Sequence, residues 1–293
     1  MAMKRTRQRL FALLLLTPCM TVLGLFVLYP AVQSVYLSFH DVDPFSKSLF
    51  PVGLSHYQEL LTSAEYWVSF SASLRFTLLT VPVSILLSLF LAVLLDAKPY
   101  VHGLFRTIFL LPVGISPAMA AMLWIFLYNP TAGYLNFLLG VVGIEGPQWL
   151  TDPTWALAAV SMATVWKEVG FNVIFFLAGL ASVPEDLREA AVVDGAGPLK
   201  RFWYVTLPMI SPTLFFVTTV SVIHAFESFG QIHILTKGGP ADATNVLVYN
   251  LFRDAFENFR TGFASAQAVL LFVIIMAITV WQFYVARRRV HYR

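Results

Sequence analysis

Glu189-Ala190-Ala191-Val192-Val193-Asp194-Gly195-Ala196-Gly197, continuing through Pro198-Leu199-Lys200-Arg201-Phe202-Trp203 and closing at Leu207-Pro208, is a polar island between two apolar runs of membrane length. Just before it, Pro184 suits the start of a short helix. Glu185 and Asp186 then fall in a first turn, where the helix dipole favours negative charge. Leu187, Ala190, Ala191 and Val193 give that helix a small apolar face. Gly195 suits the left-handed residue that ends a helix. Gly197-Pro198 suits the start of a second helix, with Leu199, Phe202, Trp203 and Val205 at roughly helical spacing and an end near Pro208. The expectation is two short helices with a sharp corner, rimmed by charge. The alanines leave room for a partner to approach closely, and Phe202 and Trp203 are candidate anchors for it. The same residues also fit a plain pair of amphipathic helices lying on a membrane surface.

Composition says what surrounds the island. Of 293 residues, 58% are hydrophobic and 12% charged, and the mean hydropathy is +0.74. Soluble domains carry about 25% charged residues, so lipid must cover part of this surface. The net charge of +3 does not indicate nucleic-acid binding, because the basic residues sit mostly at membrane flanks, where they set orientation. Cys19 is the only cysteine, so no intrachain disulfide is possible. Lys4, Arg5, Arg7 and Arg9 followed by Leu10 to Leu16 resemble a secretory signal, and Leu16-Thr17-Pro18-Cys19 resembles a lipoprotein cleavage site. Pro18 is a poor residue before a cut, and the apolar run continues through Tyr29, so an uncleaved first span is expected.

Six runs are long enough to cross a bilayer: Leu10–Leu37, Ser73–Leu95, Phe105–Leu127, Trp155–Leu180, Met209–Phe229 and Phe263–Val285. Irregular backbone cannot face lipid, so an all-α membrane protein with six transmembrane helices is expected. Thirteen basic residues fall on one side: Lys4, Arg5, Arg7, Arg9, Lys98, Arg106, Arg188, Lys200, Arg201, Arg287, Arg288, Arg289 and Arg293. Four fall on the other, namely Lys47, Lys237, Arg253 and Arg260. The positive-inside rule places both termini and the Glu189 loop in the cytoplasm. The domain reading is an N-terminal helix with an outer segment (1–72), a core (73–285) holding the cytoplasmic loop 181–208, and a basic tail (286–293).

The order of residues in the loop adds a resemblance. Glu-Ala-Ala, Asp-Gly-Ala and Leu-Pro at these spacings resemble the cytoplasmic loop of permease subunits of binding-protein-dependent ABC importers of type I. Pro51-Val52-Gly53-Leu54 with Tyr57, Leu111-Pro112 with Trp124 to Pro130, and Gly238-Gly239-Pro240 with Thr244, Ala255-Phe256 and Gly262 are similar to further signatures of its carbohydrate-uptake branch. Trp166-Lys167, Asp194 to Pro198 and the tail around Tyr292 resemble the sn-glycerol-3-phosphate permeases of that branch. Val205 departs mildly, standing where the family often has isoleucine.

The resemblance implies that Glu189, Ala190, Ala191, Asp194, Gly195 and Pro208 dock into an ATPase subunit and transmit its closure. It implies a prokaryotic inner-membrane location, a second permease subunit, an ATPase dimer carrying ATP and Mg2+, and an outer solute-binding protein. The implied solute is glycerol 3-phosphate or a glycerophosphodiester, with a sugar or oligosaccharide as the alternative. The chain lacks the Gly-x-x-x-x-Gly-Lys-Ser/Thr loop that wraps nucleotide phosphates, so no cofactor is expected in it and power must enter from a partner.

Ionisable groups inside spans are expensive and usually face a bundle interior or water. Lys167 and Glu168 fall in the fourth run, His224 and Glu227 in the fifth, and Arg75 at the start of the second. Helical spacing puts Glu168 with Asn172, and His224 with Glu227 and Gln231. One reading is a solute path in which Arg75 and Lys167 steer an anion while Asn172, Ser228 and Gln231 bond hydroxyls. The other is a scaffold in which Lys167 and Glu168 pair with neighbouring helices and Arg75 snorkels. No catalytic constellation and no metal-ligand spacing is apparent, so an enzyme is not expected, and a membrane-embedded hydrolase ranks below an ion-coupled secondary transporter among the alternatives.

Overall fold

The computed structural model describes residues 2–46, 48–96 and 102–289, with backbone alone for 2–12, 102–106, 110, 288 and 289. The side chains of the basic N-terminal arm, Lys47, Lys98, Arg106 and the end of the basic tail therefore lie outside the described residues. The elements run α1 (Ala2–Leu23), a π-helical turn (Gly24–Leu28), α2 (Tyr29–Leu37), β1 (His40–Val42), β2 (Leu49–Pro51), α3 (Ser55–Thr62), α4 (Ala64–Asp96), α5 (His102–Gly114), α6 (Pro117–Leu127), α7 (Tyr134–Val141) and α8 (Pro153–Ala181). They continue with α9 (Glu185–Val193), α10 (Pro198–Arg201), a π turn (Phe202–Thr206), α11 (Leu207–Met209), α12 (Ser211–Phe226), α13 (Gly230–Leu235), α14 (Leu247–Phe252), a π turn (Arg253–Glu257) and α15 (Thr261–Arg289).

Leu13–Leu37, Ala64–Asp96, Pro153–Ala181, Ser211–Leu235 and Thr261–Arg287 are long and apolar enough to cross a membrane. Thr107–Gly114 and Pro117–Leu127 meet the same criterion only as a pair, bent by 109°, the geometry of a broken span or a re-entrant loop. That bend departs from the continuous third helix expected over Phe105–Leu127. Pro117 lacks an N–H to continue the helix and pushes Ser116 out of the α region. Ser116 is extended (φ −62°, ψ 151°), and its side chain accepts the Met119 N–H as an N-cap. The second span begins at Ala64, nine residues before Ser73. A short antiparallel hairpin, His40 opposite Pro51 and Val42 opposite Leu49, is the one sheet among the described residues and lies between the first two membrane-length helices of an otherwise all-α fold.

Two compact units emerge: Met1–Ser63 with Leu251–Phe272, and Ala64–Asn250 with Val273–Arg293. In the first, the Tyr57 hydroxyl donates to Ser38 Oγ (2.7 Å) and His56 Nε2 lies 3.2 Å from the His40 carbonyl. Arg260 pairs with Glu59 at 2.6 Å and lies over the Phe263 ring.

The second unit is built on α4 against α8. The buried side of α4 sets a run of small and hydroxylated residues, Ser69, Ala72, Ser73, Thr77, Thr80, Ser84, Ser88 and Ala92, among larger ones such as Phe76, Val81, Ile85 and Leu89. Its outer face carries exposed Leu78, Leu86 and Phe90. This inverts the pattern of a soluble helix. Lipid offers apolar side chains as good a home as the protein does, so close backbone packing through small residues drives association. Most of these hydroxyls bond carbonyls of their own helix, as Thr77 Oγ1 does to Ser73 (2.8 Å) and Thr80 Oγ1 to Phe76 (2.7 Å), whereas Ser69 Oγ is buried without a partner among the described residues. Ser88 Oγ also reaches the Val169 carbonyl of α8 at 3.3 Å. On the other side of α8, Gly170 lets α5 come close, since a Cβ there would collide with the Phe109 carbonyl oxygen.

Candidate functional site

α4, α8 and α12 surround a polar cavity of about 280 Å³. α4 supplies Thr80 and Ser84, α8 supplies Thr164, Lys167 and Glu168, and α12 supplies Ser221 and His224. The cavity is completed by Glu227, Ser228 and Gln231, and by Pro117 at the start of α6. α12 ends at Phe226 and α13 begins at Gly230, so irregular backbone runs along the cavity. Such backbone is tolerated at membrane depth where it lines a water-filled space.

Five of the seven residues singled out from the sequence as path candidates line this cavity: Lys167, Glu168, His224, Glu227 and Gln231. The route differs from the one expected. α12 stops at Phe226, so Glu227 reaches the cavity as the residue that caps it and Gln231 from the first turn of α13, not as successive positions of one continuous helix. Asn172 is buried behind the wall, where its Nδ2 donates to Ser221 Oγ at 3.4 Å and joins α8 to α12. Arg75 is not brought to the cavity. It lies more than two turns into α4 and donates from Nη2 to Ser71 Oγ, one turn back, at 2.9 Å.

Across the cavity His224 Nδ1 lies 3.3 Å from Glu168 Oε2. The side chains of Lys167 and Glu227 make no hydrogen bond or ion pair among the described residues. The cavity therefore offers one unengaged ammonium, one unengaged carboxylate and a ring of hydroxyl and amide groups. Thr80, Ser84, Thr164 and Ser221 were not singled out from the sequence, where serines and threonines in spans read as packing groups. The available signal was the three- and four-residue spacing of hydroxyls along α4.

A second candidate region is the loop between α8 and α12. α9 closes with the Gly195 N–H bonded to the Val192 carbonyl (3.0 Å) and the Ala196 N–H to that of Ala191 (2.9 Å). Gly195 takes φ +74°. This is the Schellman ending, and its left-handed residue favours glycine. Gly197 then caps α10, with Pro198 at its first position. Glu189, Ala190, Asp194 and Gly195 are exposed, whereas Ala191 is buried. The second helix runs through the π turn and ends at Met209, next to Pro208 as expected. Phe202 and Trp203, candidate anchors for a partner, lie on the side of the loop that faces α4. With Leu199 and Leu207 they border an apolar groove of about 550 Å³ whose other wall is Leu86, Leu89 and Phe90. Trp203 is still 57% exposed there, so contact with a partner is not closed off.

Residues 66–291 match the family model described as "Binding-protein-dependent transport system inner membrane component". The chain is 39% identical over 282 residues to the sn-glycerol-3-phosphate transport system permease protein UgpA of Agrobacterium fabrum, covering 95% of each. It is 37% identical over 280 residues to the protein of the same name from Pectobacterium atrosepticum, again covering 95% of each. Among solved structures, a bacterial ABC transporter involved in the import of the acidic polysaccharide alginate is similar with a TM-score of 0.82 at 25% identity, covering 98% of both chains. A bacterial alginate ABC transporter in complex with an alginate pentasaccharide-bound periplasmic protein gives 0.84 at 23% identity, covering 97% of this chain and 96% of that one.

Proposed function

Because the chain belongs to the family of binding-protein-dependent transport system inner membrane components, and is a multi-pass inner-membrane permease subunit of the type I ABC importer class, we propose that it carries glycerol 3-phosphate or a related glycerophosphodiester inward. The observation that carries the solute is the identity of 37–39% over 95% of the chain to permeases named for sn-glycerol-3-phosphate. In this reading Lys167 meets the phosphate, and Ser228, Gln231 and Glu227 bond the glycerol hydroxyls. Asn172 holds Ser221 in place, and Arg75, outside the cavity, steers the anion toward it.

Both termini and α9 face the cytoplasm, where the basic residues concentrate. An ATPase dimer with its own ATP and Mg2+ docks on Glu189, Ala190, Asp194 and Gly195, with Ala191 packed on the inner face of the same helix, and Pro208 lies in the helix that leads back to the membrane. A second permease subunit completes the pathway, and an outer solute-binding protein delivers the cargo. A sugar or oligosaccharide is a second reading, favoured by the hydroxyl-rich wall of the cavity and by the alginate importer among the structural relatives.

Purification of the tagged chain from its own membranes tests the assembly, and reconstituted uptake tests the solute. An ATPase and a second permease should co-purify. ATP-driven uptake of labelled glycerol 3-phosphate should exceed that of neutral disaccharides when the cognate binding protein is added. A chain that purifies alone, or uptake confined to neutral sugars, would refute this reading.

A further inference from the structure

We propose that Arg188 is a positioning residue that couples α9 to the two helices walling the solute cavity, acting as a strut between the ATPase-docking face and the cavity. This rests on the reading that α9 receives the ATPase. Within α9 only Arg188 and Ala191 are withdrawn from solvent, and they lie three residues apart on one face. Glu189, Ala190 and Val193 face outward. A push on the outer face therefore bears on Arg188 and Ala191 as well as on the chain that continues into α10, and Arg188 is the one with polar grips on other helices.

The guanidinium holds two helix ends at once. Nη1 lies 2.9 Å from Asp96 Oδ2, and Nη2 donates to the Leu180 carbonyl at 2.7 Å. Asp96 is the last residue of α4, where the helix dipole disfavours a carboxylate unless a cation neutralises it. Leu180 is the penultimate residue of α8; its carbonyl accepts the Val183 N–H at 3.2 Å in place of an i+4 partner, since residue 184 is proline, and keeps a lone pair for Arg188. Arg188 answers both needs, so its geometry is fixed by two helices and not by its own loop.

Those helices are the ones that supply Ser84 and Glu168 to the cavity. Each residue lies twelve positions from its gripped end, roughly 18 Å at the rise of an α-helix. Movement of α9 thus reaches both cavity walls along two rigid rods of equal length.

A double-mutant cycle on the complete transporter, reconstituted in liposomes with its co-purifying subunits and its solute-binding protein, tests the strut. ATP hydrolysis and solute uptake are measured together for wild type, Arg188→Met, Asp96→Asn, the double variant and the exchanged pair Arg188→Asp with Asp96→Arg. Each single variant should retain the ATPase yet lower uptake per ATP hydrolysed by about fivefold or more. The double variant should lose no more than the worse single, and the exchanged pair should regain part of the loss. Wild-type uptake per ATP in both singles, or losses that multiply in the double, would overturn the proposal. So would release of the ATPase by Arg188→Met, which would place Arg188 in the docking face. If Arg188→Met does not accumulate in the membrane, Asp96→Asn decides alone, since it removes the charge at nearly constant volume: reduced uptake per ATP supports the strut and unchanged uptake overturns it. A wild-type complex with no ATPase bound would instead sink the docking reading on which the strut rests, a failure visible before any variant is made.

Discussion

His224 Nδ1 and Glu168 Oε2 stand 3.3 Å apart, joining α12 to α8 across a cavity that also holds Lys167 and Glu227. The pair is partly exposed, with side-chain accessibilities of 43% for His224 and 23% for Glu168. Its net worth is therefore that of a screened pair, about 1 kcal/mol or less. Removing one partner alone should matter more to function than to folding. Glu168→Gln and His224→Gln should each leave the melting temperature of the detergent-solubilised complex within a few degrees of wild type, since about 1 kcal/mol shifts a large domain by only ~2–4 °C. Both should change solute uptake, and the double variant should not add their effects. A melting temperature that collapses in either single variant would identify the pair as scaffold.

Lys167 offers the sharpest test of solute chemistry. Among the described residues nothing engages its ammonium, although it faces the cavity. A hydrogen bond to a charged group is worth about 1.5–3 kcal/mol, so Lys167→Ala should cut uptake of a phosphate-bearing solute by roughly tenfold or more while the complex stays assembled. Lys167→Arg should restore part of it. Uptake that is unchanged, or a complex that falls apart, would remove Lys167 from the path.

Most of the fold was legible in hydropathy because a bilayer demands some twenty apolar residues in a row. What hydropathy could not see was the backbone break inside the third of those runs. Ser116-Pro117 splits the third span within a stretch that stays apolar on both sides, whereas Glu227 to Phe229, between α12 and α13, coincides with a rise in polarity at Glu227, Ser228 and Gln231. The Ser-Pro pair did carry a local cue, since serine caps a helix and proline opens one. The early start of α4 was hidden by Glu65, Tyr66 and Trp67, which read as loop.

For the cavity, ionisable residues in spans pointed to the right wall, because burying charge in lipid is costly enough to imply a purpose. Arg75 satisfied the same criterion and does not reach the cavity, since a bond to Ser71 on its own helix meets part of its need. In the loop, Gly195 was readable from local chemistry alone. The placement of Phe202 and Trp203 on the side facing α4 was not, because it depends on α4, more than a hundred residues earlier.

Gly170 tests the packing of α5 on α8. A Cβ there meets backbone, the Phe109 carbonyl oxygen, with no flexible side chain to yield. Overpacking of this kind costs about 1–3 kcal/mol. Gly170→Val should therefore lower the yield of folded protein in the membrane and the melting temperature together, with Gly170→Ala milder in the same direction. Equal yield and stability for Gly170→Val would show that α5 does not approach α8 this closely.

Gly195 and Glu189 separate the shape of α9 from its charge. Gly195 sits at φ +74°, and the place a Cβ would take has nothing within 4 Å, so a valine there meets no neighbour and strains only the backbone. A β-branched residue held in that region costs on the order of 1–3 kcal/mol, which unwinds the Schellman ending and moves Asp194 and Ala196. Glu189 is exposed and makes no ion pair among the described residues, so Glu189→Lys should leave α9 folded and change only what a partner meets. If α9 is the docking element, both variants should reach the membrane at near wild-type levels and release the ATPase or uncouple hydrolysis from uptake, while the binding protein's affinity for solute stays constant. Gly195→Asn, which tolerates the left-handed region better than valine, should recover coupling where Gly195→Val does not. Normal transport by both Glu189→Lys and Gly195→Val would mean that force enters the permease somewhere other than α9.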